Sequence, residues 1–178
     1  LTEMEHHSGT DRIFEAFQKL QLKNIDYIIN LQGDEPLIDI KDINQLHFQT
    51  LKNKSEMSTL ACKIFDKKIF KDQNIVKVIT QEKLSNSNSS IARDFSRKVI
   101  EKDNENIYHH IGIYMYKVPV LKKFINLKQT KNEVSQKLEQ LRAMDNNIQI
   151  DVNLANSSSI GVDTYKDYMK IKKLIENK

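Results

Sequence analysis

An aspartate and a glutamate stand side by side at positions 34 and 35, in the run NLQGDEPLI (30–38), directly after the apolar Tyr27, Ile28 and Ile29. Carboxylates at a strand end resist burial and repel each other, so a compensating partner is expected. A capped turn compensates part of that charge, and a bound cation compensates more. Asp163, in GVDT (161–164), occupies a comparable place after one expected strand and before an expected helix. In open α/β sheets ligands bind outside the carboxyl ends of strands, so carboxylates from two strand ends can converge on one hard cation. Mg²⁺ usually takes only one or two protein carboxylates and completes its octahedron with phosphate oxygens and water. Aspartate is also a good helix cap. Spacing leaves both readings open for the pair, and for Asp163 taken singly the cap is the simpler.

The elements that must hold these groups alternate between helix and strand, the pattern of an α/β sheet. SGTDRIFEAFQKL (8–20) sets Ile13, Phe17 and Leu20 on one helical face, with Ser8 or Thr10 available as a cap. A strand over 26–31 follows, then the acidic turn and a helix around 40–53. MSTLACKIF (57–65) and IVKVIT (75–80) read as strands, and QEKLSNSNSSI (81–91) as a polar surface loop. HIGIYMY (110–116) alternates Ile111, Ile113 and Met115 against Gly112, Tyr114 and Tyr116, a strand. VSQKLEQLRAM (134–144) places Val134, Leu138 and Leu141 along one helical stripe, IQIDVNL (148–154) alternates again, and a lysine-rich helix over 164–177 closes the chain. No internal repeat or domain boundary is visible, so 1–178 reads as a single domain.

Composition narrows the class. With 178 residues the chain can bury a sizeable core. Its formal charge is +4, but the lysines are spread along it and no arginine-rich run with interleaved aromatics occurs, which argues against a nucleic-acid partner. A basic balance also suits an anionic small substrate. The single Cys62, in STLACKIF, cannot form an internal disulfide, favours a reducing compartment and reads as a small buried hydrophobe. No apolar run approaches the roughly 18 residues of a membrane span, and no signal peptide is visible, so a cytoplasmic location is expected.

QGDEP after an apolar strand, SGTDR upstream, FSR near position 96, HIGIY, LEQLR and GVDT occur in one order. Together with STLACKI and NIVKV they resemble the 3-deoxy-manno-octulosonate (Kdo) cytidylyltransferases, over nearly the whole chain. The resemblance implies a Rossmann-like α/β fold of the nucleotide-diphospho-sugar transferase type, with a mixed sheet flanked by helices, usually in a homodimer. It implies a Mg²⁺-dependent transfer of CMP from CTP to Kdo, in which the sugar's anomeric hydroxyl attacks the α-phosphorus and pyrophosphate leaves. On that resemblance Asp34 and Asp163 are the metal ligands, and Arg97 pairs with the sugar carboxylate through its two-pronged guanidinium. Gln32, Gly33, His110, Tyr114, Glu139 and Gln140 face the sugar, and Ser8, Gly9, Thr10 and Arg12 line the nucleotide site. Without it, plainer readings stand beside each: a capped helix, a surface arginine, a hydrogen-bonded histidine, a core tyrosine and the polar face of a helix.

The family begins with a strand and a basic, glycine-bearing loop around the triphosphate, and neither is found in this sequence. An N-terminal strand is therefore expected to be missing, and the 178-residue chain by itself is expected to bind CTP poorly and turn over little. Gln136 stands where the family typically carries glutamate, and FSRKVI lacks the proline that usually closes FSR. Two alternatives remain: a cytidylyltransferase for a related acidic sugar, such as 8-amino-Kdo or sialic acid, and a non-catalytic truncated partner that binds sugar or dimerises.

Overall fold

The computed structural model describes residues 1–6, 8–66, 68–98, 106–156, 161–162 and 164–176. Asp163 lies outside the described residues. Ser8 opens α1 (Gly9–Leu20) by accepting from the Asp11 N–H, and Gln21 ends it in the left-handed region at φ 49°. β1 (Tyr27–Asn30) leads through the acidic turn to α2 (Ile40–Asn53), which Asp39 caps by accepting from the Lys41 N–H. Then come β2 (Met57–Lys63), a single-turn α3 (Lys68–Lys71), β3 (Lys77–Thr80), β4 (Ser90–Ser96) and the long β5 (Ile107–Lys117). Helices α4 (Val118–Ile125), α5 (Lys131–Gln136) and α6 (Gln140–Asp145) precede β6 (Ile150–Leu154) and α7 (Tyr165–Glu176).

The strands form one six-stranded mixed sheet in the order β1-β5-β2-β6-β4-β3, in which only β2 and β6 run parallel. β5 is its spine, and its alternation buries both faces. Tyr108, Tyr114 and Tyr116 join Leu121, Phe124 and Leu141 under α4 and α6. Ile111, Ile113 and Met115 join Leu46 and Leu60 beneath α2. One edge of β5 carries β2; the other carries β1 against Tyr114–Lys117 and β3 against Ile107–His109. No strand among the described residues pairs with residues 111–113 on that second edge, and a cavity opens at this gap.

Several expectations are corrected. The loop expected over 81–91 ends early, because Ser90 and Ile91 pair with Val152 and Asp151 and begin β4. The single helix expected over 134–144 is two helices, broken where Lys137 turns left-handed at φ 54°. That turn sends Val134 into solvent (60% exposed) while Leu138 and Leu141 stay buried. β2 stops at Lys63, and Phe65 is 89% exposed. On α1 the inward aromatic is Phe14, and Leu20 is exposed.

Candidate active site

A cavity of about 670 Å³ gathers Gln32, Asp34, Arg97, His110, Tyr114 and Glu139, with Gln140 beside the last of them. Its floor is β5. Gly112 contributes no side chain there, and a Cβ at that position would meet the Gln32 Oε1 at 3.2 Å, so the glycine makes room for Gln32. The turn after β1 supplies one wall, with Asp34 exposed at its rim. Asp72, Asn74, Ile75, Val76 and Arg97, which follows β4, supply another wall. The Arg97 Nη1 donates to the Asn74 carbonyl at 2.8 Å, which fixes the guanidinium.

His110 is buried, and its Nε2 lies 3.0 Å from the Thr59 hydroxyl. That hydroxyl donates its proton to the Ile113 carbonyl at 2.7 Å, so Nε2 carries the imidazole hydrogen and Nδ1 is left as an acceptor. Burial, then the neighbouring His109, then Arg97 push the imidazole pKa down from 6.5 to about 3. The unfolded chain therefore binds one more proton than the folded chain between those two values. His110 should cost stability as pH falls through that window, at up to about 1.4 kcal/mol per pH unit, and cost nothing above it. Urea midpoints at neutral and acid pH should converge in His110→Asn relative to the parent protein; an unchanged pH dependence would sink the assignment.

Tyr114 is 6% exposed, and its hydroxyl has no partner in good hydrogen-bonding geometry among the described residues. Burial, with Tyr116 and Glu139 beside it, pushes its pKa well up, and the nearby Thr59 hydroxyl is the one group that opposes the rise. Glu139 begins α6. Its Oε2 accepts from the Thr10 hydroxyl at 3.1 Å, while its Oε1 is buried with no partner in good hydrogen-bonding geometry among the described residues. Burial raises its pKa despite the Ser8 and Thr10 hydroxyls and the Arg142 charge. Among the described residues, two buried oxygens on one cavity thus lack well-placed partners, an unusual cost unless a ligand supplies them.

Of the SGTDR group, Thr10 reaches the cavity indirectly, through Glu139 and through Tyr116, whose hydroxyl lies 3.3 Å from its own. Ser8 caps α1 and also lies beside the Glu139 carboxyl, and nothing lies within 4 Å of a Cβ at Gly9. Arg12 points away, donating to the Thr2 hydroxyl and to the Glu3 and Met4 carbonyls. Gly33 is exposed at the turn, without positive φ and with open space where a Cβ would stand. Of GVDT, Gly161 and Thr164 line the cavity, and the Val162 N–H donates to the Asp34 carbonyl at 2.8 Å. The two acidic segments are therefore tied together by main chain. No group of three or more potential metal ligands occurs among the described residues.

Spacing missed several cavity residues. Lys166 and Lys170, on the first turns of α7, line its mouth and read in sequence as ordinary surface lysines. Lys77 is wholly buried under the Arg97 wall. Its signal was a lone cation inside the β-branched run IVKVIT. Cys62 is buried, with its thiol pushed up to about 11 by burial, and takes no part in the cavity. No helix among the described residues is long and apolar enough to cross a membrane.

Residues 1–150 match the model of a family described as cytidylyltransferase. A 3-deoxy-manno-octulosonate cytidylyltransferase of Francisella tularensis subsp. holarctica is 43% identical over 183 residues, covering 98% of this chain and 72% of the relative. The protein of the same name from Bartonella bacilliformis is 36% identical, with the same two coverages. Among solved structures, a CMP:2-keto-3-deoxy-manno-octonic acid synthetase complexed with CTP superimposes with a TM-score of 0.85 at 30% identity, over 99% of this chain and 71% of that one. The 2-C-methyl-D-erythritol 4-phosphate cytidylyltransferase of Francisella tularensis, at 17% identity and a TM-score of 0.60 over 94% of this chain and 68% of that one, shares the fold.

Proposed function

This chain belongs to the cytidylyltransferase family, and from that membership we propose that it transfers CMP from CTP to 3-deoxy-manno-octulosonate, releasing pyrophosphate. The observation that carries the choice of sugar is the fixed Arg97 guanidinium facing the same cavity as the unpartnered Tyr114 hydroxyl and Glu139 Oε1. A carboxylated, polyhydroxylated sugar meets all three. Its carboxylate pairs with Arg97, and its hydroxyls bond Tyr114, Glu139, Gln140 and the His110 Nδ1. The neutral imidazole cannot compete with Arg97 for the anion by charge, so His110 orients and Arg97 holds. Buried and pre-set, these groups place the anomeric hydroxyl for attack on the α-phosphorus, and positioning of this kind supplies much of the catalysis in phosphoryl-type transfers.

The residues at hand fit Mg²⁺. Asp34 is an exposed carboxylate on the cavity rim, and its carbonyl anchors the segment that carries Asp163. Those two carboxylates are within the number this ion takes from protein. When bound, Mg²⁺ supplies positive charge against the phosphate oxygens. Of the residues expected on the nucleotide side, Thr10 joins the site through its contact with Glu139, while Arg12 is held instead by the Thr2 hydroxyl and the Glu3 and Met4 carbonyls. Residues 1–178 then form one cytidylyltransferase domain of a cytoplasmic homodimer that activates Kdo for lipopolysaccharide assembly.

The full-length gene product, incubated with CTP, Mg²⁺ and a panel of acidic sugars, should release pyrophosphate fastest with Kdo. Faster release with 8-amino-Kdo or sialic acid would reassign the substrate. Arg97→Ala should raise KM for Kdo roughly tenfold to a hundredfold, the worth of a charge-assisted hydrogen bond, while KM for CTP holds. An unchanged KM for Kdo would remove Arg97 from the site.

A further inference from the structure

Lys77 is the most deeply buried cation among the described residues, with no exposed surface at all. It opens β3, opposite Ser96 of β4 on one side and His109 of β5 on the other. Its ammonium is satisfied by main chain: Nζ donates to the Asp72 carbonyl at 2.8 Å and to the Arg97 carbonyl at 3.2 Å. Taking an ammonium out of water is costly, and neutral carbonyls return less than a carboxylate would. Burial accordingly lowers its pKa, with the nearby Asp72 carboxylate opposing the fall and the Arg97 charge adding to it. A methionine or leucine would fill the same volume at no such cost, so stability alone does not explain the choice.

The two carbonyls that Lys77 holds belong to the wall facing the sugar side of the cavity. The ladder between β3 and β4 ends at the pair Lys77 and Ser96, so Arg97 is the first residue beyond it. From there the Arg97 side chain returns to the Asn74 carbonyl, and Asn74 lies between Asp72 and Lys77 in sequence. The connections close into a loop: Lys77 to the Arg97 main chain, Arg97 side chain to Asn74, and Asn74 back to Lys77 through the chain.

We propose that Lys77 is a positioning residue for the acidic sugar, pinning the Arg97 and Asp72 main chain so that the guanidinium is held facing the sugar carboxylate. The inference rests on the reading that Arg97 pairs with that carboxylate. Lys77 touches no substrate; it acts through Arg97. Its charge also helps to hold His109 neutral, as Arg97 does for His110, so the wall's positive charge stays with the two cations.

The test is a double-mutant cycle on the full-length gene product with Lys77→Met and Arg97→Ala, reading KM for Kdo, KM for CTP and kcat. Lys77→Met alone should raise KM for Kdo about tenfold, with KM for CTP and kcat at saturating sugar unchanged. In the Arg97→Ala background it should add nothing further. An equal effect in both backgrounds, or a joint rise for both substrates, would assign Lys77 to general stability and overturn the proposal. If Arg97→Ala itself leaves KM for Kdo unchanged, the reading of Arg97 has failed and the inference falls with it, a result distinct from the other two. Should Lys77→Met not fold, the unaltered protein decides: in a Mg²⁺-free NMR titration with Kdo, the Lys77 Nζ and Arg97 Nε resonances should move together with one dissociation constant. An Arg97 signal that moves while Lys77 stays still would refute the coupling.

Discussion

Asp34→Asn in the full-length gene product is expected to lower kcat by roughly two to three orders of magnitude, the scale of losing one pre-set electrostatic contact to developing charge. Its melting temperature should stay at the parent value. The Asp34 side chain is exposed, and the bond that ties this turn to the next acidic segment uses its carbonyl, which the substitution keeps. Activity falls because an amide keeps the shape and removes the charge. A neutral oxygen binds a hard divalent cation poorly and gives nothing against the pyrophosphate. Titrating Mg²⁺ separates the two contributions, because lost affinity is overcome at high metal and lost transition-state charge is not. A kcat within a few-fold of the parent would remove Asp34 from the chemistry.

The largest stability effect should come from outside the cavity. Arg142 and Glu133 are both almost wholly buried and meet through two bonds, Nε to Oε2 at 2.9 Å and Nη2 to Oε1 at 2.5 Å. The guanidinium also lies 4.9 Å from the centre of the Phe124 ring. Burial alone would raise the Glu133 pKa, but the paired arginine outweighs it and holds the carboxyl below its usual range. Arg142→Ala leaves that carboxylate buried without its countercharge, with only the Thr130 N–H and the Gln129 amide as donors, and removing one partner of such a pair costs about 3–5 kcal/mol. Urea unfolding should show that loss, and Arg142→Ala combined with Glu133→Gln should recover part of it. A loss below about 1 kcal/mol, the range of an exposed pair, would contradict the burial argument. The pair bridges the left-handed break at Lys137, so it also sets where α6 begins and hence where Glu139 points.

What was legible in the sequence follows from how strictly each segment obeys one period. HIGIYMY alternates without exception, and β5 buries both of its faces as that pattern requires. β4 was invisible because Ser89, Ser90, Arg93 and Asp94 break any apolar alternation; its strand character comes from pairing with β6 and β3. The break at Lys137 carried no glycine or asparagine to announce it, so the 134–144 stripe read as continuous and Glu139 and Gln140 fell on its polar side. With the break in place they turn inward, Gln140 buried and Glu139 half-buried. Periodicity had no means of placing Gln32, Arg97 and Glu139 on one cavity, since they come from three separate connections. The motif order grouped them, and it carried no hint of Lys77, whose partners are carbonyls.

The gap left beside β5, where neither β1 nor β3 follows residues 111–113, makes the cavity floor a single strand thick. Directly behind it, Ile111 and Ile113 rest on Leu46 and Leu60. Hydrocarbon on the far side of the sheet is thus the bedding on which the substrate's platform lies. Drift in that layer would tilt the platform without any change in a residue that meets the ligand, so the α2 side is held to its shape by chemistry it never contacts.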